Sequence, residues 1–176
     1  MAENDRKSQT VDYVTARDRG QPDAWTLEAG QRGTQQLVEV AQVAAPPEIA
    51  KSLRLRPADR VVVRRRLILM DGNVIELADS FYPLAVAHGT ALAEKRKIKG
   101  GAPTLLAELG YQPSHVSEDL EFRAADDFER AALSLPAGAS VLTLLRATST
   151  EDGSPYEVQL MVMKAPRRLH YEIEVV

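Results

Sequence analysis

The stretch RVVVRRRLILMDGNVIELADSF, residues 60 to 81, decides the fold. Arg60 to Met70 and Val74 to Phe81 are rich in β-branched and apolar residues, and Asp71-Gly72-Asn73 between them is the turn chemistry of a β-hairpin. Two long strands joined by a tight turn are predicted. Upstream, Leu37 to Val43 is a further β-rich run. A short helix follows it: Pro47 suits a first turn, Glu48 suits the positive helix end, and Ile49, Ala50 and Leu53 fall on one face.

The second half of the chain repeats this plan. Phe128 to Leu133 answers Glu48 to Leu53, Val141 answers Val61 and Arg146 answers Arg66, each 80 positions on; after one inserted residue, Asp152-Gly153 answers Asp71-Gly72 and Glu157 answers Glu76. One short helix cannot cover the apolar face of its hairpin, so two such units are expected to share a single antiparallel sheet. The fold class this predicts is α+β, a mainly antiparallel sheet with flanking short helices. Tyr171 to Val176 alternates as a closing strand should. Between the halves, a helix is expected over Pro103 to Leu109, stopped by Gly110 and preceded by Gly100-Gly101. Residues 1 to 33 are polar, small and without a periodic face, and read as a tail or linker, pinned to the domain by Trp25, the only tryptophan.

Composition bounds the function. A chain of 176 residues, 44% hydrophobic and 27% charged, makes one globular domain with room for little more than a tail. No cysteine means no disulfides, no thiolate metal site and no cysteine nucleophile. The longest apolar runs fall far short of a membrane span, and the N-terminus is not a secretion signal, so cytoplasm is the expected compartment. A formal charge of −3 gives no net attraction to phosphate backbones, which disfavours direct nucleic-acid binding. His88, His115 and His170 are isolated, and neither a G-x-S-x-G elbow, a P-loop nor a dinucleotide glycine fingerprint occurs. No metal site and no cofactor are expected.

What remains is polar residues inside strands. Arg64 and Arg66 share a strand face with Val62, Ile68 and Met70, so burial of that face would require an acidic partner or a ligand for each guanidinium. With Arg146 and Glu157 they could line a cleft that fixes a small polar molecule. The structural alternative is an ion pair of Arg66 or Arg146 with Glu76 or Glu157. Gly100 to Thr104 could offer free backbone N–H groups to an anion, while Lys95-Arg96-Lys97 with Lys99 reads as a solvated face.

These residues resemble the UTRA domain, the effector-binding half of HutC-type regulators in the GntR family. The resemblance runs from about Gly33 to Val176. It is carried by Ala45-Pro46-Pro47-Glu48-Ile49-Ala50 with Leu53, Val63-Arg64-Arg65-Arg66 before Asp71-Gly72, and Ala78-Asp79-Ser80-Phe81-Tyr82-Pro83. Leu105 to Tyr111 and Asp152-Gly153-Ser154-Pro155-Tyr156-Glu157-Val158 complete it. It implies a chorismate-lyase-like fold, a pocket between sheet and helices, homodimerisation, and an effector-sensing unit over 34–176 that follows the 1–33 linker. It also implies ligand contacts from Arg66, Ser80, Tyr82, Thr104, Arg146, Glu157 and Met163. Two departures matter: Ile68 stands where the family's anion-binding strand has a second arginine, and Met163 stands where an aromatic is expected. Ala102-Pro103-Thr104 likewise replaces the serine and tyrosine of sugar-phosphate binders, so a less highly charged or more apolar effector is expected. Residues 1 to 33 are too short for a winged helix-turn-helix, so contact with DNA is expected only through such a domain outside these 176 residues. The reading is a non-catalytic sensor of a small organic effector. The alternatives are a small chorismate-lyase-like enzyme, with Arg66 holding a carboxylate and Glu157 as general acid or base, and a purely structural dimerisation module.

Overall fold

In the computed structural model, which describes residues 10–18 and 21–169, six antiparallel strands form one sheet. Helices α1 (Thr10–Val14) and α2 (Ala24–Ala29) lead through a 3-10 turn into β1 (Gly33–Ala44). Then come α3 (Pro47–Ser52), β2 (Arg60–Met70), β3 (Asn73–Pro83), α4 (Leu84–Ala87) and α5 (Gly101–Glu108). The second half is β4 (His115–Ala124), α6 (Asp127–Leu133), β5 (Ser140–Ser149) and β6 (Pro155–Lys164). Strand order is β1-β2-β3-β6-β5-β4, so the sheet is two copies of a strand-helix-hairpin unit meeting at β3 and β6. The repeat is therefore longer than the expected helix-hairpin plan, each copy opening with its own edge strand.

The turns explain the hairpins. Asp71 and Gly72 both take positive φ, 49° and 77°, which is the conformation a two-residue hairpin turn matched to strand twist demands. The second hairpin carries a longer loop in which Asp152 accepts from the Ser154 N–H at 3.0 Å and from its hydroxyl at 3.0 Å. Helix α6 starts with a capping box: Glu129 N–H donates to Asp126, the Asp126 N–H donates back to the Glu129 carboxylate, and Arg123 grips both oxygens of that carboxylate. Helix α3 uses Pro47 instead, with no side-chain cap.

Helices α3 and α6 cover one face of the sheet, each reaching across the β3–β6 seam, α3 onto β6 and α6 onto β3. Ile49, Ala50 and Leu53 pack on Val61, Val63, Phe81 and Val158; Leu133 packs on Val141 and Val162. Each such side chain, fully buried, contributes about 1.5–3 kcal/mol. The opposite face is covered unequally. Over the first half lie α4 and α5, where Val86, Leu92 and Leu106 meet Val62 and Tyr82, and α2, where Trp25 meets Ile68 and Ala78.

Three expectations are adjusted. Residues 10–18 and 21–33, read as a tail or linker pinned by Trp25, carry the short helices α1 and α2, with Trp25 and Val14 buried; these helices are too short for a helical period to show in sequence. Strand β4 was not assigned from the sequence, although Val116, Leu120, Phe122 and Ala124 alternate with Ser117, Asp119, Glu121 and Arg123; as an edge strand it leaves most of these side chains in solvent, the large apolar ones included. The central helix begins two residues earlier than expected, at Gly101, with Gly100 in the left-handed conformation before it. The expected closing strand over Tyr171 to Val176 lies outside the described residues, as does His170.

Candidate ligand-binding site

Antiparallel register lays the unequal face out as rungs of directly opposed residues. One rung crosses the whole sheet as Val40, Arg64, Ser80, Gln159, Arg146 and Glu118; the next is Leu37, Arg66, Ala78, Met161, Leu144 and Leu120. A third includes Ile68, Glu76 and Met163. The two copies are related by a local two-fold through the paired Asp79 and Leu160. Arg66 and Arg146, Glu76 and Glu157, and Tyr82 and Met163 thus occupy matching places on one face.

Above these rungs is a cavity of about 410 Å³, within the range of small-molecule sites. Its floor is strand residues, among them Arg66, Ala78 and Met161; its roof is α1, α2 and the start of α5. The roof is fastened by polar contacts. Thr10 Oγ1 donates to Glu118 Oε1 at 2.8 Å, the Arg17 N–H donates to Thr104 Oγ1 at 3.1 Å, and Tyr13 donates to Glu28. The Arg146 guanidinium lies over the Tyr13 ring, 5.7 Å from its centroid. Gly33, where the roof meets β1, has no room for a side chain: a Cβ there would lie 2.1 Å from that of Ala29 and 2.8 Å from Trp25 Nε1.

The arginines differ in what holds them. Arg64 is buried, and its company is neither an acid nor a ligand. Nη1 donates to the carbonyls of Leu92 and Glu94 at 2.9 and 2.8 Å, and Nη2 to that of Arg96 at 2.8 Å, so it braces the segment between α4 and α5. Arg146 donates from Nε to Glu118 at 2.6 Å and from Nη1 to Gln159 at 3.3 Å. Arg66 donates from Nη2 to Ser80 Oγ at 2.7 Å, while its Nε is buried with no hydrogen-bond partner among the described residues. The ion pairs on this face are thus Arg146 with Glu118 and Arg167 with Glu76, the latter at 3.5 Å. Both partner choices differ from the expected structural pairs, because β4 and the segment after β6 supply residues the hairpin pattern did not contain.

Arg66, Ser80, Tyr82, Arg146 and Met163 lie on the cavity wall. Glu157 sits behind it: its Oε1 accepts from Tyr82 Oη at 2.6 Å and from Gln159 Nε2 at 3.1 Å. Burial pushes the Glu157 carboxyl above its ordinary range, against the pull of the Tyr82 hydrogen bond and the Arg66 charge. Burial likewise raises the Tyr82 hydroxyl, helped by the adjacent Glu157 charge. Thr104 is also off the wall, its hydroxyl donating to the Gly100 carbonyl at 2.8 Å, although Gly100 and Gly101 line the cavity. Tyr13, Gln159 and Arg167 line it without having been singled out, and Trp25, expected only to pin the N-terminal segment, lines it too. Gln159 could have been found by laying the repeat antiparallel, which sets it opposite Ser80; nothing in the local sequence signals Tyr13 or Arg167. The Lys95 to Lys99 cluster is solvent-exposed apart from Ile98, with Arg96 paired to Glu94. Among the described residues no group of three or more His, Asp or Glu is placed to hold a metal ion, and no helix is long and apolar enough to cross a membrane.

A two-copy antiparallel sheet with a roofed cavity on one face describes a sensor-type binding domain, and the family follows: residues 28–167 match the UTRA domain model, and the chain belongs to that family. An uncharacterised HTH-type transcriptional regulator of Streptomyces coelicolor is 27% identical over 139 residues, 77% of this chain. The chain spans about half of that relative's length, 52%. A crystallised protein assigned to the GntR family of transcriptional regulators shares 25% identity, with a TM-score of 0.79 over 92% of this chain and 68% of that one. The effector domain of PhnF from Mycobacterium smegmatis, 17% identical, has the same fold, with a TM-score of 0.71 over 86% of this chain and 95% of that one. The fold is the chorismate-lyase-like α+β fold expected from the sequence.

Proposed function

We propose that this chain is the effector-binding module of a GntR-family, HutC-type transcription regulator. It is non-catalytic, acts in the cytoplasm as a homodimer, and reaches DNA through a winged helix-turn-helix domain outside these residues. A small organic effector occupies the cavity and is anchored by Arg66. The observation that carries the reading is the roofed cavity of about 410 Å³ on the two-copy sheet, into whose wall the family's strand arginine is built with one N–H unsatisfied. The sensing unit extends beyond 34–176 to include α1 and α2, which supply the roof. Dimerisation has an apolar surface to use in Val116, Leu120 and Phe122, exposed along β4. A lyase is the weaker reading, since Glu157, its general acid or base, lies behind Tyr82 and Gln159 rather than on the wall.

An effector can shift a conformational equilibrium only through unequal affinity for the two states. Binding itself is read by stability. A ligand at 100 times its Kd adds about 2.7 kcal/mol, so a thermal-shift screen against carboxylic acids, sugars, amino acids and fatty acids is expected to yield stabilising compounds whose effect Arg66→Ala abolishes. Stabilisation by none of them, or loss of chorismate on incubation with the protein, would overturn the reading.

A further inference from the structure

Resting on the reading of this cavity as an effector site, we propose that its ligand is an elongated molecule with an acidic group at each end and an apolar stretch between: one acid meets Arg66 beside Ser80, the other meets Arg167 beside Glu76. The cavity has two cationic poles, and at each the guanidinium is incompletely used. Arg66 Nε and Arg167 Nε and Nη1 are buried without a hydrogen-bond partner among the described residues, and both residues line the cavity. The Arg167 side chain is only 10% exposed, and its contact with Glu76 is a single long one of 3.5 Å, leaving the rest of its donor fork for an acceptor that arrives from outside.

The poles are separated along one strand. Ser80 and Glu76 lie on the same face of β3 four residues apart, a span of about 13 Å at the usual strand rise. The wall between and beside them is Ala78, Met161, Ile68 and Met163, with Trp25 of the roof packed on Ala78 and Ile68. These five side chains are apolar apart from the Trp25 ring N–H, so the strip they form favours an apolar middle of the guest. Met161 and Met163 give that strip an adaptable surface.

Charge points the same way. Four arginines, Arg64, Arg66, Arg146 and Arg167, line the cavity. Glu118 answers Arg146 and Glu76 answers Arg167, while Arg64 is held by carbonyl oxygens alone and Arg66 by a hydroxyl. Glu157 lies behind the wall, its Oε1 already taken by Tyr82 and Gln159. At the rim, Asp12 and Asp23 balance Arg17 and Lys97. Arg64 and Arg66 therefore remain without a carboxylate partner and Arg167 is only partly answered, which favours an anionic guest.

The test is titration calorimetry of the full chain with straight-chain dicarboxylates from succinate to sebacate, against the monocarboxylates from butyrate to decanoate. One dicarboxylate length is expected to bind about tenfold or more tighter than its monocarboxylate, the worth of one charge-assisted contact. Arg167→Gln should erase that advantage and leave monocarboxylate affinity unchanged, whereas Arg66→Gln weakens both series. Arg167→Lys, which keeps the charge and loses the fork, should recover part of the advantage and serves if the glutamine variant misfolds. Equal binding of the two series with dependence on Arg66 alone overturns the two-ended ligand and leaves the effector reading standing. Binding of neither series also overturns it, and the wider metabolite screen then decides the effector reading separately.

Discussion

Arg66 and Arg146 are counterparts in the two copies, yet they are used differently. Arg146 is spent inside the protein, with Glu118, Gln159 and the Tyr13 ring around it. Arg66 holds one hydroxyl and keeps a buried N–H in reserve. The same division separates the carboxylates: Glu157 is sealed behind Tyr82, while Glu76 stays on the wall and meets Arg167. Duplication supplied two equivalent sets of polar groups on one sheet face. Unequal cover then committed one arginine to holding the roof and left the other facing the cavity.

The sharpest way to break this comparison is to truncate each arginine. Arg146→Ala removes a guanidinium only 3% exposed from its pair with Glu118, and removal of one partner of a buried pair costs about 3–5 kcal/mol. Arg66→Ala gives up one hydrogen bond and an unsatisfied donor, for a change under about 1 kcal/mol. Urea unfolding of both variants checks the contrast; equal losses would mean the two sites are equally structural. The roof is tested at Gly33, whose backbone conformation is ordinary but whose neighbours leave no space. Gly33→Ala should cost about 1–3 kcal/mol as overpacking and weaken any ligand in the cavity, read by the same unfolding curves and by calorimetry. Full stability in that variant would mean that α2 does not need its close approach to β1.

The smallest effect is one of pH. A carboxyl raised by burial contributes its stability in full below its unfolded value, near 4.5 for glutamate, and loses it as pH rises through the higher folded value. Wild type should therefore be most stable relative to Glu157→Gln in mild acid and lose ground toward neutrality, as thermal unfolding from pH 4.5 to 8 would show. A difference that does not change with pH would place Glu157 in the same titrating environment as an exposed carboxylate.

The core of the fold was readable because its signals are local. Asp71-Gly72 and Asp152-Gly153 announce the hairpins, and Pro47 and Asp126 start the two helices of the covered face. Alternation put Arg64 and Arg66 on one face of their strand, while Ser80 and Tyr82 entered through the family resemblance. Strand β4 was legible in the alternation of Val116, Leu120, Phe122 and Ala124 but lies outside the helix-hairpin repeat, and with it went Glu118, the partner of Arg146. Helices α1 and α2 are shorter than any sequence period can reveal; Trp25 and Tyr13 are fixed by tertiary contact rather than by propensity. Arg167 lies beyond the last repeated element, so no pattern could assign it. Spacing suggested a salt bridge to Glu76 or Glu157 for the strand arginines, but which charges meet depends on sheet order, and sheet order is not a local property.

The pairing at the centre of the sheet has a kinetic consequence. Each hairpin closes a short loop and can form on the microsecond scale by itself, but β3 meets β6 only when Glu76 finds Met163 and Phe81 finds Val158. Closing a loop of that length carries an entropic cost that no local contact repays in advance. The meeting of the two copies at their shared axis is therefore the entropically costly encounter, and α1, which reaches Glu118 and Arg146 of the second copy, docks onto strands that this encounter joins to the first.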